Sequence, residues 1–318
     1  MKIAILDGAT LGEDLSMELF ERFGEVSVYS TTSEEELAER IENADAVIIN
    51  KVKLNAGNLG AAKKLSLICI TATGFDNVDL EYCRAHGIAV CNVVGYSTQS
   101  VAQVTLSMAL SLITHLPEYD RFVCSGEYTK SGKFNCLTPV FHEIAGKTWG
   151  IVGYGNIGKQ VARVAEALGC RILVYKRTPV EERTCVDFDT ICRESDILSL
   201  HTPLNEGTFH LLDRDHIAML KKNAIVINVA RGAVTDEAAL ADAILEERIG
   251  ALGVDVYSLE PMRANHPFQQ ILSYPNVCLT PHMAWGGYET RVRLLDEVAQ
   301  NIESFLQGGT RCRVDIKG

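Results

Sequence analysis

Three side chains suited to binding an anion and moving a proton follow strand-like segments in the second half of the sequence: Arg231, Glu260 and His282. Because ligands of parallel α/β sheets bind outside the carboxyl ends of the strands, we expect the three to share one edge. Arginine can hold a carboxylate through two parallel hydrogen bonds, and histidine exchanges protons near neutral pH. A neighbouring glutamate would stabilise the imidazolium and orient the ring. The pattern predicts a site that binds a small carboxylic acid and moves a proton on the neighbouring oxygen, while hydride moves to or from nicotinamide.

Each of the three residues also has an ordinary structural interpretation. Arg231 could be a surface charge at a strand end, and Glu260 a solvated loop residue before Pro261. His282 could be a structural histidine that donates to a backbone carbonyl. The functional interpretation therefore depends on their common edge and on a nucleotide-binding motif elsewhere in the chain.

That motif is a glycine-rich turn halfway along the sequence. It consists of Gly153, Tyr154, Gly155, Asn156, Ile157 and Gly158. An apolar strand-like stretch precedes it at 148–152, and apolar residues at helical spacing follow it over 159–168. In such a unit the first glycine permits the tight turn, the second admits a pyrophosphate and the third allows close helix packing, while the helix N-terminus attracts the anion. The motif predicts dinucleotide binding, with a plain glycine turn as the alternative.

Two series of strand-like segments must position these residues. The first lies at 2–6, 26–29, 46–50, 67–70 and 88–91, and the second at 148–152, 171–175, 196–200, 224–229, 250–254 and 277–279. Helix-like segments separate them, such as 34–41, for which Ser33 is a suitable N-cap. This alternation predicts an α/β protein with two doubly wound parallel sheets.

Two long helix-like segments indicate how the two sheets are connected. The apolar segment 99–116 predicts a helix that joins them, and 288–306 predicts a last helix after the second sheet. Such a last helix can return the chain to the first domain. One hypothesis is therefore a first domain formed by residues 1–97 and 286–318, a second formed by 98–285, and a cleft between them.

Composition narrows the class of protein. With 318 residues, 47% hydrophobic and 22% charged, the chain has the composition of a soluble globular protein of about two domains. Its formal net charge of −11 argues against binding nucleic acid or an anionic membrane. The ten cysteines have neither C-x-x-C nor metal-site spacing, so we expect reduced core thiols and no bound metal. The chain has neither the features of a signal peptide nor a membrane-spanning apolar run, which predicts a cytoplasmic protein.

Taken together, the motifs resemble those of the D-isomer-specific 2-hydroxyacid dehydrogenases almost from end to end. The resemblance is carried by 73–79, 100–103, the glycine turn, 201–204, 228–232, 253–256 and Pro281-His282. It implies a flavodoxin-like substrate domain, built from both chain ends, around a central Rossmann cofactor domain. It also implies that Arg231, Glu260 and His282 are the catalytic residues, and that a homodimer forms largely through 99–116.

The resemblance further implies individual contacts with the ligands. The substrate carboxylate would be bound at Thr73, Gly74, Arg231 and His282. Besides the glycine turn, the cofactor would be bound at Thr73, Thr202, Pro203, Val229, Ala230, Arg231, Asp255 and His282. Phe134 and Leu137, within 128–139, would reach the substrate pocket from the partner subunit.

Within the family, the chain looks most like the glycerate dehydrogenase (hydroxypyruvate reductase) branch. The segments that resemble this branch are 50–52, 95–98, 257–261 and 281–285. The chain departs from it at Val104, where many members carry histidine. The resemblance implies hydroxypyruvate or glyoxylate as the substrate.

The end of the first strand after the glycine turn bears on the choice of cofactor. NAD-preferring sites place an acidic residue about 20 residues beyond the fingerprint, where it binds the ribose 2′-hydroxyl. Here the strand ends in Lys176, Arg177 and Thr178. These side chains would attract a 2′-phosphate, so we predict NADP(H) in preference to NAD(H). Alternatively, they are solvated charges on a site that binds NAD through other contacts.

Two other functions fit the same architecture. Formate-oxidising relatives replace the glutamate of the catalytic trio, so Glu260 argues against that reaction. A dinucleotide-sensing binding protein, like the transcriptional corepressors of this architecture, would carry added tails or a peptide-docking cleft. This chain begins on its first strand and ends soon after its last helix, so we expect a metabolic enzyme.

Overall fold

Two parallel β-sheets organise the fold of the computed structural model, which describes residues 1–178 and 180–316. The strands are β1 (Lys2–Ile5), β2 (Glu25–Val28), β3 (Ala46–Ile49), β4 (Leu67–Ile70), β5 (Ala89–Cys91), β6 (Thr148–Val152), β7 (Arg171–Tyr175), β8 (Ile197–Leu200), β9 (Ile225–Asn228), β10 (Ala251–Val254) and β11 (Val277–Leu279). The α-helices are α1 (Glu34–Ile41), α2 (Leu80–Ala85), α3 (Thr98–Thr114), α4 (Leu116–Cys124), α5 (Glu127–Ser131), α6 (Asn156–Ala167), α7 (Phe188–Glu194), α8 (Arg214–Met219), α9 (Glu237–Leu245) and α10 (Tyr288–Leu306). Short 3₁₀ helices lie at Gly8–Leu11, Glu18–Phe23, Leu59–Ala61, Gly232–Val234 and Pro267–Ile271.

The chain divides into two compact units, one formed by Met1–Ser97 with Gly286–Gly318 and the other by Thr98–Trp285. The first unit contains the sheet β2-β1-β3-β4-β5, which is the flavodoxin-like order. Strands β3 and β4 are buried along their whole length, as expected for parallel strands covered on both faces. The predicted start of α1 is confirmed, because Ser33 Oγ accepts from the backbone N–H of Glu36 in a capping box.

The last helix of the chain packs against the first sheet. Helix α10 contacts β4 and buries an apolar stripe that includes Leu294, Val298 and Ile302. The amide of Asn301 donates to the carbonyl of Asn92 at 2.9 Å, which ties the helix to the segment after β5. The C-terminal part of the sequence is therefore integral to the unit that the N-terminal part begins.

The second unit contains the sheet β11-β10-β9-β8-β6-β7, with all strands parallel. An isolated parallel bridge between Val174 and Cys185 lies on the outer edge of β7. The common dinucleotide-binding order 3-2-1-4-5-6 has its third strand at this position. Two apolar cores cover the sheet, one with Leu198 and Phe268 and the other with Trp149 and Ile227.

The predicted helix over 99–116 is wrong in its C-terminal bound. Helix α3 ends at Thr114, and His115 adopts a left-handed backbone with φ of 53° before α4 begins. Pro117 explains the break, because it lacks an N–H and its ring would collide with a helical carbonyl four residues earlier. It is instead accommodated in the first turn of α4.

The expectation that the cysteines lie in the core holds for half of them. Cys69, Cys83, Cys91, Cys170 and Cys192 are buried, whereas Cys124 is exposed and the others are half-buried. Cys124 lies on α4, which buries none of its residues within the unit. All ten thiols are free. Across residues 1–178 and 180–316, no group of three or more His, Cys, Asp or Glu side chains is arranged to hold a metal, and no helix has the length and apolarity to cross a membrane.

Candidate active site

Arg231 stands on a turn that the end of β9 shapes. The buried side chain of Asn228 accepts from the N–H of Ala230 and donates to the carbonyl of Arg231, both at 3.0 Å. One guanidinium N–H of Arg231 donates to the carbonyl of Ala230 at 2.8 Å, and the residue is exposed. The backbone is thus fixed while the guanidinium remains accessible, which suits it to bind a carboxylate.

Gly232 brings this turn against the loop that follows β10. A Cβ atom on Gly232 would lie 2.0 Å from the backbone N of Ser258 and 2.0 Å from the carbonyl carbon of Tyr257. Only glycine permits this approach. The segments that hold Arg231 and Glu260 are therefore in direct backbone contact.

Glu260 and His282 form a close pair within the second unit. The Glu260 Oε2 atom lies 2.6 Å from Nδ1 of His282, and Glu260 Oε1 accepts from the N–H of Tyr257 at 3.0 Å. Both side chains are about one quarter to one third exposed. With Nδ1–H donating to the carboxylate, Nε2 of the imidazole is left to exchange a proton.

Asp255 fixes the loop that presents His282. Its buried carboxylate accepts from Thr280 Oγ1 at 2.5 Å and from the N–H groups of Met283 and Ala284, both at 2.9 Å. Burial raises the pKa of Asp255, and these three hydrogen bonds oppose that shift. His282 has a left-handed φ of 53°, which is uncommon for a residue other than glycine, and its N–H donates to the carbonyl of Asp255 at 2.8 Å. The resemblance assigned Asp255 to the cofactor, and the structure adds this role in holding the histidine.

The three glycines of the turn after β6 occupy three different environments. Gly153 has a φ of 94°, and a Cβ there would lie 2.8 Å from the backbone of His201. A Cβ on Gly158 would lie 2.2 Å from the carbonyl oxygen of Gly153, whereas one on Gly155 would meet nothing within 4 Å. Gly155 is the N-cap residue of α6, and no side chain that the structure describes accepts a hydrogen bond from the first N–H groups of the helix there. These free N–H groups, with open space beside them, suit the binding of a diphosphate.

The basic residues after β7 lie beside this turn. The N–H of Gly153 donates to the carbonyl of Tyr175 at 2.9 Å, and Lys176, Arg177 and Thr178 follow directly and are exposed. Within 1–178 and 180–316, Lys176 and Arg177 form no salt bridge. By contrast, Arg183 is engaged with Glu166 at 2.8 Å. The two cations at the end of β7 are therefore available to a ligand.

His201 begins the segment that contains Thr202 and Pro203. Its Nε2 atom lies 2.9 Å from Ser199 Oγ, and the indole N–H of Trp149 donates to the same hydroxyl at 2.8 Å. Its Nδ1 atom is inaccessible and has no hydrogen-bond partner among the described residues. Burial lowers the pKa of His201 to about 3, so the ring is neutral at physiological pH.

The structure brings most of the predicted site residues to the carboxyl edge of the second sheet. The glycine turn, Lys176, Thr202, Arg231, Asp255 and His282 follow β6, β7, β8, β9, β10 and β11 in turn. Val229 and Ala230 are buried directly after β9. Thr73 and Gly74 belong to the other unit, where Thr73 Oγ1 donates to the carbonyl of Val93 at 2.8 Å.

Comparison with known proteins decides the family. The model of the D-isomer specific 2-hydroxyacid dehydrogenase NAD-binding domain matches residues 106–284. Glycerate dehydrogenase of Methylorubrum extorquens is 35% identical over 308 residues, which cover 96% of each chain. The chain belongs to the D-isomer-specific 2-hydroxyacid dehydrogenases. Since the family acts on the CH–OH group of 2-hydroxy acids, the chain is a nicotinamide-dependent oxidoreductase.

Solved structures similar to this dehydrogenase include complexes with substrate or cofactor. D-lactate dehydrogenase of Aquifex aeolicus, complexed with NAD and lactic acid, superposes with a TM-score of 0.85 at 26% identity and covers 100% of both chains. The NADPH-dependent glyoxylate/hydroxypyruvate reductase of Sinorhizobium meliloti has a TM-score of 0.84 at 27% identity, covering 98% of this chain and 97% of that one. Both phosphorylated and unphosphorylated nicotinamide cofactors therefore occur among the neighbours of this fold.

Sequence reasoning missed two buried polar side chains of the dehydrogenase, one on α9 and one in the loop that bears Glu260. Glu237 and His266 are 9% and 8% exposed, and their side chains lie 3.0 Å apart. Glu237 stands in the first turn of α9. Acidic residues are common in the first turn of helices, where they interact favourably with the helix dipole and are usually exposed. The sequence offers only a weak signal for its burial, namely that α9 is otherwise mostly apolar.

Proposed function

We propose that this dehydrogenase reduces a small 2-oxo acid, with hydroxypyruvate and glyoxylate as the leading substrates. A bound nicotinamide cofactor supplies the hydride that adds to C2 of the substrate. His282 gives the proton from Nε2 to the carbonyl oxygen, so that the ketone or aldehyde becomes an alcohol, and the reverse reaction returns both. The observation that supports this proposal most strongly is the 2.6 Å contact between Glu260 and Nδ1 of His282, on the same sheet edge as the glycine turn.

Each member of the trio has a distinct task in this reaction. The carboxylate of Glu260 stabilises the protonated imidazole and fixes its ring. The exposed guanidinium of Arg231 binds the substrate carboxylate and polarises the carbonyl oxygen. Thr73 and Gly74 remain predicted backbone contacts to the substrate, so we assign the first unit to substrate binding and the second to the cofactor.

The similarity to named relatives supports the choice of substrate. One relative in the family is named glycerate dehydrogenase, and a solved neighbour is named glyoxylate/hydroxypyruvate reductase. Both names describe small 2-oxo or 2-hydroxy acids. The direct test measures oxidation of NADPH and NADH with hydroxypyruvate, glyoxylate, pyruvate and phenylpyruvate in turn. The largest kcat/KM is expected with hydroxypyruvate or glyoxylate, and a clear preference for phenylpyruvate would refute the substrate proposal.

We further propose a preference for NADP(H), supported by the two exposed cations at the end of β7, which form no salt bridge with any residue that the structure describes. Lys176 and Arg177 lie next to the glycine turn, and none of the three residues directly after the strand is acidic. Of the acids that follow, Glu182 pairs with Lys159 at 3.3 Å. A hydrogen bond to a charged group contributes about 1.5–3 kcal/mol, which corresponds to roughly 10- to 150-fold in affinity.

The cofactor proposal can be tested with a charge-removal series. Lys176→Ala and Arg177→Ala should each lower kcat/KM for NADPH by about tenfold or more and change kcat/KM for NADH by less than about threefold. Lys222→Ala removes an exposed lysine before β9 and should change kcat/KM for neither NADPH nor NADH. A wild-type protein that clearly prefers NADH would sink the proposal.

Homodimer formation and a cytoplasmic location also remain proposals. The segment from α4 to residue 141 exposes several apolar side chains, among them Val123 at 55%, Phe134 at 95% and Leu137 at 67%. An apolar patch of this kind is typical of a protein interface. A mass measured by light scattering should correspond to two chains, and a monomer at micromolar concentration would contradict the dimer.

A further inference from the structure

Glu237 is a buried acid that the proposed chemistry does not use. Its carboxylate accepts three hydrogen bonds, from the N–H of Ser258 at 2.8 Å, from Ser258 Oγ at 2.5 Å and from Nε2 of His266 at 3.0 Å. The N–H of Phe268 donates to Nδ1 of His266, so the imidazole proton lies on Nε2 and points at Glu237. An ionised carboxylate only accepts hydrogen bonds, so it matches three donors.

The position of Glu237 also favours its charge. It is the first residue of α9, where the unpaired N–H groups of the helix create a positive potential. The cap of α9 is made separately, because the side chain of Asp236 accepts from the N–H of Ala239. Capping the helix therefore does not explain why Glu237 is buried.

The partners of Glu237 stand on both sides of Glu260. Ser258 precedes Glu260 by two residues and His266 follows it by six. Between them, residues 258–261 and 263–265 are exposed, including Leu259 at 43%, whereas Tyr257 and Met262 pack against the apolar core of the unit. The exposed stretch around Glu260 therefore depends on polar contacts. The same loop is the one that Gly232 touches directly. Hydrogen bonds to one buried carboxylate thus fix both ends of the segment that bears Glu260.

We propose that Glu237, together with His266, is a positioning residue of this dehydrogenase. It holds the loop 257–266 on α9, so that the carboxylate of Glu260 stays against Nδ1 of His282. Because α9 follows the Arg231 turn along the chain, the same interaction keeps the Arg231 and Glu260 segments in a fixed relative position. The inference rests on the proposed acid–base role of His282.

The test is a double-variant cycle with Glu237→Gln and Glu260→Gln. A glutamine at 237 has the size of the glutamate but presents an NH₂ group to one of the three donors. Glu237→Gln alone should lower kcat by about tenfold, less than the roughly 10²-fold expected for a full 1 Å displacement of a catalytic group. The dissociation constant of NADPH should stay within about twofold, because the glycine turn lies elsewhere on the sheet edge.

The cycle separates positioning from general stabilisation. If Glu237 acts through Glu260, Glu237→Gln should cost little further activity in the Glu260→Gln background. If it only stabilises the fold, it should lower kcat by the same factor in both backgrounds, and this result would overturn the inference. Glu246→Gln makes the same substitution at an exposed position at the end of α9 and should leave kcat unchanged.

A milder variant covers the case in which Glu237→Gln does not fold. Ser258→Ala removes the hydroxyl donor and keeps the backbone donor, so it should lower kcat by a smaller factor, again only when Glu260 is present. Equal losses with and without Glu260 would overturn the inference here too.

Failure of the positioning role is distinguishable from failure of the proposed function. In the first case wild-type enzyme turns over and His282→Gln does not, while Glu237→Gln behaves like wild type. In the second, wild-type enzyme reduces none of the four acids.

Discussion

Replacing Gly232 with alanine should disable the enzyme while leaving its glycine turn intact. The added Cβ would lie 2.0 Å from the backbone N of Ser258, whereas ordinary van der Waals contact begins at 3.4 Å. The difference, 3.4 − 2.0 = 1.4 Å, is the distance by which the turn and the loop must separate. Both are backbone, so no side-chain rotation can relieve the overlap. Arg231 and Glu260 would move apart by about that amount.

The expected loss follows from this displacement. A misplacement of about 1 Å in a catalytic constellation costs roughly 10²-fold, or about 2.7 kcal/mol in transition-state stabilisation. We therefore expect kcat/KM of Gly232→Ala to fall by about 100-fold or more. Overpacking should also lower the free energy of unfolding by about 1–3 kcal/mol. NADPH affinity should fall much less than kcat/KM, because no residue of the glycine turn is displaced.

The assay follows oxidation of NADPH with hydroxypyruvate, alongside a cofactor titration and a thermal melt. Gly60→Ala is the matched control, since a Cβ there meets nothing within 4 Å and the backbone φ is not in the left-handed region. It should behave like wild type in all three measurements. A folded Gly232→Ala enzyme with kcat/KM within about threefold of wild type would refute the idea that backbone contact sets the geometry of the site.

Three further variants test separate parts of the account. Gly155→Ala should raise the dissociation constant of NADPH by about tenfold or more, because the methyl group would project into the space open to the pyrophosphate, while stability changes by less than about 1 kcal/mol; unchanged affinity would contradict this assignment. His201→Gln should make the free energy of unfolding less dependent on pH in acid. The pKa of His201 is about 3 in the folded state and near 6.5 in the unfolded chain, so between these values the unfolded state binds one more proton. The wild-type free energy of unfolding should therefore fall by about 1.4 kcal/mol more per pH unit than that of the variant as pH decreases, and parallel curves in denaturant titrations would count against burial of a neutral ring. Ser33→Ala should destabilise the first unit by about 0.5–2 kcal/mol through loss of the α1 capping box, with no change in NADPH affinity; a melting temperature equal to wild type would show that the cap contributes nothing.

Local periodicity was enough to predict most of the framework. The bounds of β6, β7 and α10 agree with the apolar patterns residue for residue: β6 is fully buried, β7 has a buried centre, and α10 is a long helix with a regular apolar stripe. The parallel direction of the strands could also be predicted, because strands that alternate with helices typically form parallel sheets. The predicted helix 99–116 stops before Pro117 but runs through His115, because the apolar spacing of the segment carries no sign of the left-handed residue that ends α3 at Thr114.

The sequence predicted only those site residues whose position relative to a strand end places them at the site. Arg231 and His282 follow strands directly, so the rule that ligands bind at carboxyl strand ends indicates them. Glu237 follows no such rule, because its burial depends on Ser258 and His266, which approach from a loop 21 and 29 residues away. Contacts of this kind depend on tertiary packing, and the residue type alone suggests an exposed helix start.

The most direct test of the central claim compares wild-type enzyme with His282→Gln in one experiment. Reduction of hydroxypyruvate is measured with saturating NADPH, and the dissociation constant of NADPH is measured on the same samples by fluorescence. Loss of general acid catalysis predicts a kcat that falls by about 10²- to 10⁴-fold with cofactor affinity unchanged within about threefold. A His282→Gln enzyme that reduces hydroxypyruvate at the wild-type kcat would contradict the account.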